Sequence, residues 1–290
     1  MLHGNAGVHH LAIGGITVTA LNEGVLQAST ELVTGLERSV AEEMLREAFR
    51  PVPPRITVSC FLLEFAGRRV LIDAGSGNAS GTGLGLARSR LKALDVHPAG
   101  IDTVLITHAH FDHVGGLIDE AGNPYFPNAE LVLHEAEPAF WLDEANAAQA
   151  PEVRRQSFAT ARRALAPYLQ KKLRTVRHGQ EALPGITAHH LPGHTPGHCG
   201  WVLSSNGDTL LVWGDVIHLP AIQFARPEAG LAYDIDPEQG RATRAQVLDM
   251  VATDRLRIAG MHLDFPTFGH VVRAGTGYAF LPEVWRPGAH

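Results

Sequence analysis

The chain has 290 residues and a formal charge of -6, with hydrophobic residues at 45% and charged residues at 19%. That balance excludes a disordered or collagen-like chain and leaves enough apolar material for a sizeable core. No Lys/Arg run offers the basic stripe that neutralises phosphates, which disfavours nucleic-acid binding, and no stretch approaches the ~18 apolar residues of a membrane span.

In chain order, the N-terminal MLHGNAGVHHL has no basic region followed by a long apolar stretch, so it does not read as a secretory signal. A cytoplasmic protein is expected, although a secreted parent trimmed of its leader would look the same. Helical spacing of apolar residues predicts a helix over 39–50. Residues 59–65 and 69–73 read as a hairpin that turns at Ala66-Gly67. Gly81-Thr82-Gly83-Leu84-Gly85-Leu86-Ala87 superficially resembles a dinucleotide loop. It begins eight residues after Asp73 and not at the strand end, so a flexible loop near a site mouth is expected instead. Short buried strands are predicted at 103–107 and 130–133, and helices at 137–147 and 152–173.

Residues 186–188 lead into a loop at Leu191, and 201–203 with 209–213 flank Asn206-Gly207 as a second hairpin. Asp236 caps a helix that starts at Pro237 and is expected to run to 254; a last strand over 256–261 precedes His262. Hairpins, then helices, then strands again predict sheets covered outside by helices. No Pro/Gly-rich linker divides the chain, so one α/β domain over 1–290 is expected, with its core at about 56–270.

The histidines carry the chemical signal. There are 17 His but two Cys, and Cys60 and Cys199 lie too far apart in sequence to suggest a disulfide framework or a Cys-rich zinc module. They are expected to be buried free thiols. Thr107-His108-Ala109-His110-Phe111-Asp112-His113 follows a strand and packs three imidazoles and a carboxylate into six residues. Zinc and its neighbours favour such N/O donors. A tight turn there can aim His108 and His110 at one metal while Asp112 and His113 serve a second. Further donors end other apolar runs: Asp73 after Val-Leu-Ile, His194 in Gly193-His194-Thr195-Pro196-Gly197-His198, Asp215 after Leu-Val-Trp-Gly, and His262 after Ile-Ala-Gly-Met. Each alone is weak, since a lone Asp after a strand is more often a cap. Together they describe a site on the rim of a sheet.

This ordered set resembles the five motifs of the metallo-β-lactamase superfamily, over residues ~56–270. The resemblance implies an αββα sandwich with two metals at one edge. Carried over by position, it gives His108, His110 and His194 to the first metal, Asp112, His113 and His262 to the second, and Asp215 to both. Asp73 matches a residue that supports the ligand loops from behind. Within the superfamily, Trp213–His218, Ala221–Phe224, Met261–Pro266 and Gly269-His270 are similar to the methyl parathion hydrolase branch, near the N-acyl homoserine lactonases. Lactonases of the best-known type have a Tyr three residues after the bridging Asp, where this chain has His218.

The implied function is hydrolysis of a neutral ester (a lactone, aryl ester or phosphotriester) by a hydroxide bridging two divalent metals, zinc first, with Mn, Fe or Co as alternatives. Asp215 would bridge and Asp112 would carry the proton to the leaving group. Phe111, Trp141 and Phe224 are candidate pocket walls and Trp213 a core residue. His218 and His270 divide between pocket and structure, His198 stands behind the ligands, and His134, His178, His189 and His190 read as ordinary. A small-molecule ester is the expected partner, with no nucleic acid or membrane, and the branch implies a homodimer. Competing readings are a glyoxalase II-type thioesterase, a nuclease of the same fold, and an iron-dependent redox protein at the same cage. The first lacks its C-terminal basic contacts, the second meets a net charge of -6, and the di-iron type lacks its usual Glu in the first motif.

Overall fold

The computed structural model describes residues 7–78, 83–170 and 172–284. Its strands are β1 (Val8–Ile13), β2 (Ile16–Gln27), β3 (Val33–Thr34), β4 (Arg55–Phe65), β5 (Arg68–Ile72), β6 (Thr103–Leu105), β7 (Glu130–His134) and β8 (Leu173–Val176). The second half adds β9 (Glu181–Leu183), β10 (Ile186–His190), β11 (Cys199–Ser205), β12 (Asp208–Val212), β13 (Gly230–Leu231), β14 (Arg257–Ala259), β15 (Phe268–Ala274) and β16 (Gly277–Pro282). They form two seven-stranded sheets, in the orders β1-β2-β4-β5-β6-β7-β8 and β16-β15-β14-β12-β11-β10-β9; β3 and β13 pair separately.

Side-chain alternation explains the layers. Along β4, Phe61 and Leu63 face the second sheet while Cys60 and Leu62 face the outer helices. On β12, Leu210 and Val212 point inward and Leu211 outward. The inner layer also holds Trp201, Val132 and Ile186, so both sheets share one core. Outside the first sheet lie helices α2 (Ala87–Ala93), α4 (Ala136–Trp141) and α6 (Glu152–Leu165), after α1 (Arg38–Glu47) and α3 (Phe111–Val114) in chain order; α5 (Glu144–Gln149) sits between α4 and α6. Outside the second sheet, α8 (Pro237–Thr253) buries Val247, Leu248 and Val251, and the short α7 (Pro220–Gln223) packs near α1. The αββα sandwich is therefore present. Among the described residues no helix is long and apolar enough to cross a membrane.

Several expected boundaries move for local reasons. The helix predicted over 152–173 ends at Leu165, because Pro167 cannot donate an N–H and forces a 3-10 turn over Ala166–Tyr168. The helix predicted over 137–147 is two helices, broken where Asp143 leaves the helix and accepts the Asn146 N–H as a new cap. Asp236 caps α8 as expected, accepting from the Gln239 N–H. Cys60 and Cys199 are buried free thiols.

Candidate metal centre

Donor side chains emerge where strands end on one rim. Asp73 follows β5 in the left-handed region (φ +60°), a conformation that short polar side chains tolerate. Its buried carboxylate accepts the Thr107 N–H and hydroxyl, both at 2.8 Å, and His113 Nδ1 at 2.6 Å. Asp73 thus pins the loop after β6 from behind and turns His113 Nε2 toward the site. That atom has no hydrogen-bond partner. Gly214, after β12, has φ +63°, and a Cβ there would lie 2.3 Å from His198 Nε2, so glycine is needed to bring Asp215 onto the rim.

The centre is one carboxylate oxygen crowded by rings. Asp215 Oδ2 lies 3.5 Å from His108, 3.4 Å from His113, 3.3 Å from His194, 3.2 Å from His218 and 2.9 Å from His262, each measured to Nε2. An oxygen with two lone pairs cannot accept from five imidazoles at once. Nor can His110 Nδ1 satisfy both of its close neighbours, His108 Nε2 at 3.0 Å and His194 Nε2 at 2.9 Å, by ordinary hydrogen bonds. Asp215 Oδ1 and His218 Nδ1 are buried with no partner. Buried polar atoms left so are costly unless something else satisfies them. His108, His110, His194 and Asp215 form one group of ligand atoms within 4.8 Å of one another; Asp112, His113 and His262 form a second, and Asp215, His218 and His262 a third. N/O donors packed so closely fit divalent cations.

For His108, His194 and His262 the second ring nitrogen is held from outside, as in metal-binding imidazoles generally. His108 Nδ1 meets Thr107 Oγ1 at 3.1 Å, His194 Nδ1 meets Asp234 Oδ1 at 2.9 Å, and His262 Nδ1 meets the Thr57 carbonyl at 2.9 Å. His198 stands behind: its Nε2 accepts the Asp215 N–H and its Nδ1 donates to the Leu191 carbonyl. Burial and neighbouring imidazoles push the His108 and His110 pKa values well below the ordinary range, which keeps the rings neutral. Burial would raise the Asp112 and Asp215 carboxyls, but the facing His113 and His262 hold them low. Against burial, which would lower them, the facing carboxylates, Asp215 first, raise the pKa values of His113, His194 (to about 9) and His262, so these rings carry protons that a metal ion would displace on binding.

These donors floor a cavity of about 300 Å³ walled by Leu26, Ile56, Phe111, Trp141, Tyr233 and Ile235. The sequence matches the metallo-beta-lactamase superfamily over residues 53–262. The chain belongs to that superfamily. The solved structure of the hydrolase AbOPH, in the beta lactamase superfamily, is 31% identical, with a TM-score of 0.91 over 97% of this chain and 99% of that one. AidC, a dizinc quorum-quenching lactonase solved with a product bound, superposes equally well (TM-score 0.91, 97% and 99% covered) at 23% identity, which speaks for the fold alone. An N-acyl homoserine lactonase of Bacillus sp is 25% identical over 162 residues, 49% of this chain and 56% of that protein. The chain spans about half to two thirds of the length of such curated relatives.

Within the metallo-beta-lactamase architecture, the seven donors singled out in the sequence converge, and Asp73 lies behind them. His218 and Phe111 border the cavity. Two expectations fail. His270 is not near the cavity: it lies on β15, half exposed, with its Nε2 3.6 Å from Glu283. Phe224 is not a pocket wall either, because it is buried beside Trp213 and stacked on Phe280 at 5.7 Å in the outer core. The glycine-rich segment also differs. Residues 81 and 82 lie outside the described residues; the Gly85 and Ala87 N–H groups donate to buried Glu23, and none of residues 83–87 lines the cavity. Tyr233, Arg154 and Asp234 had no sequence signal. Tyr233 and Asp234 lie in the irregular stretch between β13 and α8 and Arg154 in the first turn of α6, and their placement is set by packing between distant segments.

Proposed function

We propose that the chain is a metal-dependent hydrolase of neutral esters (lactone, aryl ester or organophosphate triester), working with two divalent ions, zinc first among them. In this reading His108, His110 and His194 hold one ion, Asp112, His113 and His262 hold the other, and Asp215 reaches both. Bound there, the pair would polarise the ester oxygen and lower the pKa of water enough to give a nucleophile near neutral pH. The observation that carries the reading is the convergence of five imidazoles on Asp215 Oδ2 beneath a largely apolar cavity.

The chain's own work is to position and to exclude water. Thr107, Asp234 and the Thr57 carbonyl fix the ring orientations. Asp112, on the cavity floor, receives a proton and returns it to the leaving oxygen. Phe111, Trp141, Tyr233 and Ile235 accept an acyl or aryl group. Arg154 also reaches the cavity, but its guanidinium already donates to the carbonyls of Asp234 (2.7 Å) and Ile235 (3.5 Å). It is therefore poorly placed to clamp a dianionic phosphate, which favours uncharged substrates. The lactonase name of the curated Bacillus sp relative supports the ester class. The test is kcat/KM for an acyl homoserine lactone, a p-nitrophenyl ester, methyl paraoxon and p-nitrophenyl phosphate at one pH and metal load. Turnover of the neutral esters with an inert monoester is expected; the reverse order would overturn the substrate class.

A further inference from the structure

Behind the cage described above lies a buried carboxylate that belongs to none of its groups of ligand atoms. Glu137, in α4, is fully buried and accepts four hydrogen bonds. Its Oε1 accepts the Ala109 N–H and the Trp141 indole N–H, each at 2.7 Å. Its Oε2 accepts the Thr195 hydroxyl at 2.8 Å and the Gly197 N–H at 3.0 Å. Ala109 lies between His108 and His110, and Thr195 directly follows His194. One carboxylate therefore ties together the two loops that supply the three imidazoles of the first group, loops about 84 residues apart in sequence. The backbone is shaped to allow this. A Cβ at Gly197 would lie 2.3 Å from the Glu137 amide nitrogen and 2.7 Å from Oε2, so only glycine lets the second loop approach.

We infer that Glu137 is a positioning residue for the His108, His110 and His194 group, setting the separation of its two loops and so its hold on one of the two ions. An ionised carboxylate is an acceptor at both oxygens, and all four groups aimed at it are donors. Replacing it with an amide turns an –NH2 toward one pair of donors, and the loop on that side must move away. Because Glu137 accepts no hydrogen bond from the opposite group (Asp112, His113, His262) or from its immediate backbone, the effect should fall on one ion. Glu23 offers a comparison: it is equally buried and accepts four hydrogen bonds, from Ser76 (N–H and hydroxyl), Gly85 and Ala87, none of them on these two loops.

The inference rests on the two-metal reading, and the experiment separates the two. Wild-type protein, Glu137→Gln, Thr195→Val and Glu23→Gln are each loaded with zinc and titrated with a chelator, and the cobalt(II) forms are compared by visible absorption. Glu137→Gln is expected to release one of its two ions at ~10–100-fold lower chelator concentration than wild type, with an altered cobalt spectrum. Thr195→Val, which removes one of the four donors, should weaken the same ion to a smaller degree and decides the matter if Glu137→Gln does not fold. Glu23→Gln should lower the melting temperature and leave both ions bound as in wild type. Retention of both ions at wild-type affinity by Glu137→Gln and Thr195→Val would overturn the inference. So would equal weakening of the same ion by Glu23→Gln, since any buried carboxylate would then suffice. Wild-type protein that holds no ion at all would overturn the metal reading first, and this one with it.

Discussion

At the scale of single residues, Asp215 is the side chain on which the site depends most. Its two oxygens are buried, one facing five rings and the other with no partner. A neutral amide would put a donor among those rings and could not bridge two cations. Asp215→Asn is therefore expected to lose at least one metal equivalent by elemental analysis and to cut turnover by several orders of magnitude. His262 and His270 make a paired test. His262 is buried against Asp215, while His270 is half exposed on β15. His262→Ala should lose one ion and most activity; His270→Ala should keep both ions and wild-type kcat/KM. The reverse order of metal contents would refute the assignment. Donors that follow apolar runs were readable in the sequence because a strand end fixes where they point. Glu137 and Asp234 were not, because a carboxylate acting across layers has its partners chosen by tertiary packing, with no local pattern to mark them.

At the scale of elements, periodicity located the central strands, and failures cluster where packing overrides it. The hairpin of β1 and β2 was missed because its alternation is broken by histidines, by Gly14-Gly15 and by a register shift between Asn22 and Gly24. The hairpin of β15 and β16 was missed because its outer half is exposed and its sequence carries glycines and a proline. A different element-scale effect follows from β7 and β10. His134 and His190 stack at 3.9 Å with rings 7° from parallel. Burial, then the His190 charge, brings the His134 pKa down to about 4 from 6.5. Folding therefore favours neutral His134, and this contribution is complete above pH ~6.5 and is lost as pH falls toward ~4. His134→Phe should lose less stability than wild type between pH 7 and pH 5, by on the order of 1 kcal/mol after solvent screening. Urea midpoints at the two pH values measure it, and equal losses would show that the stack does not matter.

At the scale of the whole molecule, the donors come from both sheets: Asp112 and His113 after β6 in the first, and His194, Asp215 and His262 after β10, β12 and β14 in the second. An ion shared by such donors acts as a rivet between two halves of the sandwich. Its binding free energy then enters the folding equilibrium directly, adding about 2.7 kcal/mol for each site at a free-ion concentration 100 times its Kd. Free metal becomes a variable of state for this chain, on a par with temperature or denaturant. Chelation should accordingly lower the melting temperature by several degrees and speed digestion by a nonspecific protease, with readdition of zinc reversing both; a protease lifetime indifferent to chelator would show that the sheets hold together without the ions. The biological corollary concerns abundance. When the ion is scarce the chain is expected to be cleared, so that metal supply sets how much of the protein exists as well as how fast each copy turns over.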